Sequence, residues 1–478
     1  MKFTVHPSTV PGPMSRFVCL CVVAVLLAIG AGPARGGDND RSGQYKEFAR
    51  RLLEAGLRDG EAYAMLHEIT SSARHRLSGS PGAATAIELT MHMMMKRGFE
   101  SVHAESLLVP HWERGTTEEA IIMPTVKRKA ISLSVCALGG SVATPKDGVA
   151  GEVVEVHSFE ELRNPDLDTR GKIIFFNRPM DPTKLNTFEA YGGGVDQRSR
   201  GAIEAARAGA VAAIVRSMTL ASDDVPHTGA MGYADSIPKV PAAAVSTVGA
   251  DQLSRLLKAE PGLKVRLKLS CRTLPDIASA NVLGEVSGAL SPNEIIVVGA
   301  HLDSWDKGTG AHDDASGCAQ AMEVINIFKK LHFRPKKTIR AVLFANEENG
   351  NRGGKEYPVA AARQGEKQIA AIESDRGGFM PLGFSFQGDS LLFEKISRWG
   401  AVFEEMGMGK FEKGYSGVDV SPTVQQGVPG FGLLVETQRY FDYHHSENDT
   451  IDKVNPRELE LGAVAEALLC YLISEEGL

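Results

Sequence analysis

The sequence predicts an α/β protein, a mixed and largely parallel sheet flanked by helices and interrupted by a β-rich insertion. Three observations predict it. Residues 281–286, 294–300 and 338–345 are nearly continuous apolar runs of strand length, as expected where both faces of a sheet are covered. Residues 316–331, between the last two runs, carry apolar positions at helical spacing and read as a crossover helix. From about 116 to 272 the texture changes to short β-rich runs closely punctuated by Gly, Pro and Asp.

Taken in order, the chain opens with Arg16, an apolar run over 17–31 and then the small-residue stretch GPARGGDND, which reads as a signal peptide over residues 1–36. The run ends in Gly and Pro rather than in a basic stop-transfer cluster, and no later segment approaches the roughly 20 apolar residues that span a bilayer. A secreted or periplasmic chain, soluble and with no stable membrane anchor after signal removal, is therefore expected. Residues 37–115 begin the main domain, with helical spacing over 45–74 and 83–96, the loop Arg76-Leu77-Ser78-Gly79-Ser80-Pro81-Gly82 between them, and a strand over 102–112. Residues 116–272 form the insertion, with strands at 151–156, 172–176 and 211–215 and a helix at 198–208. Residues 273–478 complete the main domain.

At 478 residues, 43% hydrophobic and 23% charged, the chain is too long for one small core, and two or three domains are expected. A net charge of −7 offers no basic footprint for nucleic acid. Cys19 and Cys21 lie in the signal, and Cys136, Cys271, Cys318 and Cys470 have no Cys-x-x-Cys spacing, which excludes a zinc ribbon. An exported chain allows a Cys136–Cys271 disulfide, and buried free thiols fit equally well.

Chemistry concentrates after the apolar strands, where open α/β sheets bind their ligands. The run 294–300 leads into His301-Leu302-Asp303, in which Asp303 is spaced to hold the second ring nitrogen of a metal-bound His301. Ala311-His312-Asp313-Asp314-Ala315-Ser316 opens the crossover helix with two adjacent acids, and here Asp314 or Ser316 suits a helix cap. The run 338–345 ends in Asn346-Glu347-Glu348, where adjacent carboxylates repel unless a cation lies between them. One glutamate can then ligate while the other takes a proton from water. Glu373-Ser374-Asp375 and Tyr443-His444-His445 add further donors. Any one of these segments alone reads as a solvated loop; five in one domain are more economically explained by a shared metal site.

With these motifs the sequence resembles the co-catalytic dizinc exopeptidases, the superfamily of leucine-type aminopeptidases and glutamate carboxypeptidases, over nearly the whole mature chain. The Arg-Leu-Ser-Gly-Ser-Pro-Gly loop and His444-His445 look closest to the plasma glutamate carboxypeptidase (carboxypeptidase Q) branch. The resemblance implies the zinc exopeptidase fold with a protease-associated domain inserted at 116–272, and two Zn²⁺ per chain. His301 and Asp375 would hold one, Glu348 and His445 the other, and Asp313 would bridge them. Glu347 would be the general base for attack by a metal-bridging water, with Asp303 orienting His301. Many relatives carry tyrosine where this chain has His444, so oxyanion or substrate contacts would pass to His444, Tyr443 or Tyr440. Asp419 or Glu373 would hold a free amino terminus if the enzyme is an aminopeptidase.

The expected function is hydrolysis of dipeptides or short peptides, in the carboxypeptidase or the aminopeptidase direction; a homodimer is compatible with this. Two other classes stand beside it, a noncatalytic receptor-like binding protein on the same fold and a two-metal hydrolase of glutaminyl-cyclase type. The full ligand set separates the first of these from an enzyme.

Overall fold

The computed structural model describes residues 36–478. Residues 44–478 form one compact unit, and the stretch up to Gly43 a separate one. The expected signal peptide lies, but for its last residue, outside the described residues. Among the described residues no helix is long and apolar enough to cross a membrane.

Sixteen strands are described: β1 (Glu100–Glu113), β2 (Glu118–Ile122), β3 (Ile131–Leu133), β4 (Val135–Ala137), β5 (Val149–Val156), β6 (Ile173–Phe176), β7 (Ala212–Arg216), β8 (Ala242–Val245), β9 (Lys264–Leu269), β10 (Arg272–Val286), β11 (Ser291–His301), β12 (Lys337–Phe344), β13 (Lys367–Glu373), β14 (Pro381–Gln387), β15 (Lys410–Lys413) and β16 (Gly430–Val435). They make two eight-stranded sheets. The first runs β1-β10-β12-β11-β13-β16-β14-β15, the second β3-β2-β9-β5-β6-β7-β8-β4. The chain thus leaves the first sheet after β1 and returns to it at β10.

In the first sheet the centre, β12-β11-β13-β16, is parallel. The expected parallel character stops there, because β1, β10 and β14 enter antiparallel. Period-two alternation divides the apolar side chains between two covered faces: Ile296 and Val298 join the core beneath the long helices, while Ile295 and Val297 pack with Val342, Phe344 and Tyr357 opposite. Helix Ser316–Lys330 is buried from Ser316 through Phe328, and it lies against helix Pro456–Glu476. That second helix starts cleanly, with Pro456 in its first turn and the Asn455 side chain accepting from Arg457 N and Glu458 N.

The second sheet is richer than its β-rich texture suggested. Its centre, β5-β6-β7-β8, is also parallel, with helices Asp196–Arg207 and Thr247–Ala259 as connections. All four cysteines outside the first 35 residues are free and buried, so the disulfide alternative for Cys136 and Cys271 does not hold. Arg114 joins the two sheets. It pairs with Asp306 at 2.6 Å and Glu118 at 3.0 Å, and Lys307 reaches Glu118 at 2.9 Å.

Candidate metal centre

Parallel register decides where the chemistry gathers. His301 at the end of β11 lies opposite Phe344 of β12, and Gly299 lies opposite Glu373 of β13, so the loops after all three strands leave the sheet at one edge. There His301 Nε2 lies 3.2 Å from Asp313 Oδ1 and 3.5 Å from Asp375 Oδ1. On the other side of Asp313, His445 Nε2 is 3.3 Å from its Oδ2 and 3.1 Å from Glu348 Oε2. His444 stacks on His445 with ring centroids 3.5 Å apart, its Nε2 3.7 Å from the same Asp313 oxygen. Asp313 therefore stands between two sets of donors.

The donor chemistry fits cations. The donor atoms of His301, Asp313 and Asp375 lie within 4.8 Å of one another, as do those of Asp313, His444 and His445. Glu347 and Glu348 share a cavity of about 280 Å³ with Asp313 and Asp375. Burial, reinforced by Asp313 and Glu347, drives the Glu348 carboxyl well above its usual range; burial, with Asp375, Asp303 and Asp313, pushes Glu347 up to about 8. Burial alone would lower His301, but the hydrogen bonds its ring donates to Asp313 and Asp375 carry it well above its ordinary value. Four acids crowded together, with no lysine or arginine salt bridge to any of them among the described residues, are what a bound divalent cation relieves. Asp313 Oδ2 moreover has no hydrogen-bond partner.

Supporting residues fix these donors. Asp303 departs from its expected role: its main-chain carbonyl, not its carboxylate, is the nearer partner of His301 Nδ1, at 3.0 Å against 3.9 Å. The carboxylate accepts instead from Glu347 N at 3.0 Å, Glu348 N at 3.3 Å and Ser78 Oγ at 3.1 Å, bracing the glutamate loop. Asn346 turns that loop with φ 69°. Asp314 caps the crossover helix through Gly317 N and also accepts from His301 N. Asp449 accepts from both His312 N and Asp313 N, at 2.7 and 3.1 Å. From the Arg76–Gly82 loop the fully buried Arg76 donates to the carbonyls of Leu302, Thr309 and Gly310.

Not every candidate reaches the cavity. His444 and Tyr440 are in its wall, but Tyr443 is not; it stacks instead on His312, 5.5 Å away, within a His312–Phe379 stack. Glu373 is spent on Val418 N and Val420 N, at 2.8 and 2.7 Å. Asp419 is buried with both carboxylate oxygens unpartnered, and is absent from the wall. Two residues were missed by sequence reasoning. Asp449 carried a faint signal, an acid four residues after a candidate ligand; Arg198, one of several arginines in a helix, carried none. Arg198 is buried in the cavity wall, its Nη1 3.4 Å from His445 Nδ1 and its guanidinium over Tyr191. No carboxylate forms an ion pair with Arg198 among the described residues.

The model of peptidase family M28 matches residues 281–469. Carboxypeptidase Q of Rattus norvegicus is 33% identical, over 96% of this chain and 98% of its own length. The crystal structure of a peptidase M28 precursor from Shewanella amazonensis superposes with a TM-score of 0.86 at 33% identity, covering 91% of this chain and 97% of that one. A zinc aminopeptidase from Bacillus subtilis shares the fold, with a TM-score of 0.61 at 18% identity over 86% of this chain and 95% of its own.

Proposed function

The chain belongs to peptidase family M28 and is a carboxypeptidase Q-like metallo-exopeptidase; on that premise we propose that it cleaves dipeptides and short peptides by reading the free carboxylate at their carboxyl end. Arg198 carries this reading. With a metal on His445 Nε2, the His445 Nδ1 would carry a proton and no longer accept from Arg198, which leaves the guanidinium beside Tyr191 with no carboxylate partner among the described residues, at the edge of the donor cluster. A substrate carboxylate supplies one.

The residues fit two zinc ions, His301 and Asp375 at one position and Glu348 and His445 at the other, with Asp313 shared. Bound there, zinc supplies Lewis acidity at the scissile carbonyl and lowers the pKa of water. Glu347, in the wall of the same cavity, accepts the proton of the attacking water and returns it to the leaving amine. His444 and Tyr440 face the cavity as donors for the oxygen that gains charge. Phe188, Tyr191 and Phe441 give the pocket an aromatic side, and its volume of about 280 Å³ suits a dipeptide better than a long chain. A single arginine there, rather than a cluster, argues against a strict requirement for acidic side chains.

The aminopeptidase direction lacks a comparable anchor, since Glu373 is engaged by main-chain N–H groups and Asp419 lies outside the wall. We further propose that residues 116–272 are a protease-associated insertion, supported by the grouping of β2–β9 in a sheet of their own. Export after removal of residues 1–36 rests on the sequence reading of those residues. Zinc analysis paired with cleavage of free, N-blocked and C-amidated dipeptides tests the whole reading. Cleavage of N-blocked but not C-amidated substrates, or of free dipeptides alone, is expected; cleavage of C-amidated substrates at the free rate would overturn the carboxylate reading.

A further inference from the structure

Besides Arg198, the insertion touches the donor cluster through a loop, residues 227–229 between β7 and β8. His227 is buried, and its Nδ1 lies 2.7 Å from the carbonyl oxygen of His444. Thr228 N donates to the His445 carbonyl at 2.9 Å, and the Thr228 carbonyl lies 3.4 Å from His445 Nδ1. Both main-chain carbonyls of the His444-His445 pair are thus held by this loop, and so is the far nitrogen of the His445 ring. Gly229 follows at φ +136°, and a Cβ on it would collide with Arg198 Nη1 and come within 2.7 Å of His445 Nδ1.

The loop is itself fixed. Gly139 N donates to Gly229 O at 2.9 Å, Thr228 Oγ1 donates to Ala137 O at 2.8 Å, and Arg114 Nη2 reaches Thr228 Oγ1 at 3.3 Å. Arg114 is the residue that grips Asp306, five positions after His301. One circuit of contacts therefore runs from the His301 loop through Arg114 and Thr228 to His445. His445 needs such support, because its φ of 60° is a left-handed conformation that a non-glycine residue adopts only when its surroundings impose it.

We propose that loop 227–229 is a positioning element for the metal centre: it holds His445 in its left-handed conformation with Nδ1–H directed at the Thr228 carbonyl, so that Nε2 alone is presented to metal. The inference rests on the zinc reading given above. A metal-bound histidine whose other nitrogen loses its partner typically weakens metal affinity about 10–100-fold. The insertion then contributes to metal loading as well as to the pocket wall.

Zinc affinity of the full chain in metal-buffered solutions, measured beside the melting temperature of the chelated protein, tests this. Gly229→Ala and His227→Phe are expected to bind the more weakly held zinc about 10–100-fold less tightly, with the chelated melting temperature near wild type in His227→Phe and lowered by the strain at φ +136° in Gly229→Ala. His227→Gln, which keeps a donor for the His444 carbonyl, is expected to recover most of the affinity. Gly232→Ala, whose Cβ meets nothing closer than the Ser199 carbonyl at 3.8 Å, is the control in the same stretch. Wild-type affinity in both Gly229→Ala and His227→Phe would overturn the inference while leaving the metal site standing. A wild-type chain that binds no zinc would instead remove the reading beneath it. Should Gly229→Ala fail to fold, the contrast between His227→Phe and His227→Gln decides.

Discussion

Carboxylates gather in two clusters among the described residues, buried or partly buried, and the clusters are partnered in different ways. Between helices Ala62–Ser72, Ser316–Lys330 and Pro456–Glu476, the acids Glu61, Glu323 and Glu460 meet Lys330, Arg97, Asn326 and the free N–H of Ala62. At the carboxyl ends of β11, β12 and β13, Asp313, Glu347, Glu348 and Asp375 meet histidines and one another. The first cluster carries its own cations and caps a helix, so it is a structural joint. The second has no lysine or arginine among its ion pairs and leaves Asp313 Oδ2 without a hydrogen-bond partner, which a bound cation would supply. Crowded acids partnered by lysine and arginine make a joint, whereas crowded acids that meet only histidines and one another make a candidate cation site.

The contrast can be broken or sharpened experimentally. The largest effect is expected from Asp313→Ala, which removes the carboxylate common to both donor sets; zinc content by elemental analysis should collapse and peptide cleavage should vanish with it. Retention of full zinc in that variant would mean that the acids are held by something else. Next comes Glu347→Gln, expected to keep zinc while kcat drops about 10²- to 10⁴-fold, the usual worth of a general acid–base; near-normal turnover would take Glu347 out of the reaction. Arg198→Met should lower kcat/KM on free dipeptides about 10- to 100-fold, the scale of a charge-assisted hydrogen bond. The same variant should treat a C-amidated dipeptide as wild type does, and an equal loss on both substrates would reduce Arg198 to a structural role.

The smallest effect belongs to the structural cluster. Burial, with the neighbouring Glu323, holds the Glu460 carboxyl up to about 8 in the folded chain, against 4.5 for an ordinary glutamate. The folded state therefore binds more protons between those values, and its stability falls as pH rises through that window. Glu460→Gln keeps an acceptor for Ala62 N and removes the titration. Its melting temperature should decline less than wild type between pH 5 and 8, ending a few degrees above it, with zinc content and cleavage unchanged; parallel declines would assign the pH dependence to another group.

Much of the first sheet could be read from the sequence because it is buried on both faces, which forces the apolar runs in β11 and β12 and leaves the acids after them conspicuous. The second sheet was harder to read. Three of its four central strands were read, at 151–156, 172–176 and 211–215, but the four-residue Ala242–Val245 is too short for periodicity to separate from loop, and the helix Thr247–Ala259 that follows it passed unnoticed. The candidate metal donors fell into legible motifs because His301, Glu348 and Asp375 end or closely follow apolar strands, while Asp313 and His445 stand in paired-acid and paired-histidine segments. The residues that hold them did not, since a second partner to a histidine can be any main-chain carbonyl and leaves no mark on residue type. That is why Asp303 was expected at the ring of His301 by its carboxylate, whereas its carbonyl is there.

By itself the sequence determined the α/β class and offered a candidate donor set for metal-dependent hydrolysis, because periodic burial and the clustering of acids and histidines after strands are local properties of the chain. Tertiary structure alone decided which acids lack a counter-charge, that Arg198 arrives in the pocket from the second sheet, and that loop 227–229 closes behind His445. Those facts depend on contacts between residues more than 200 positions apart, about which neither spacing nor composition carries information.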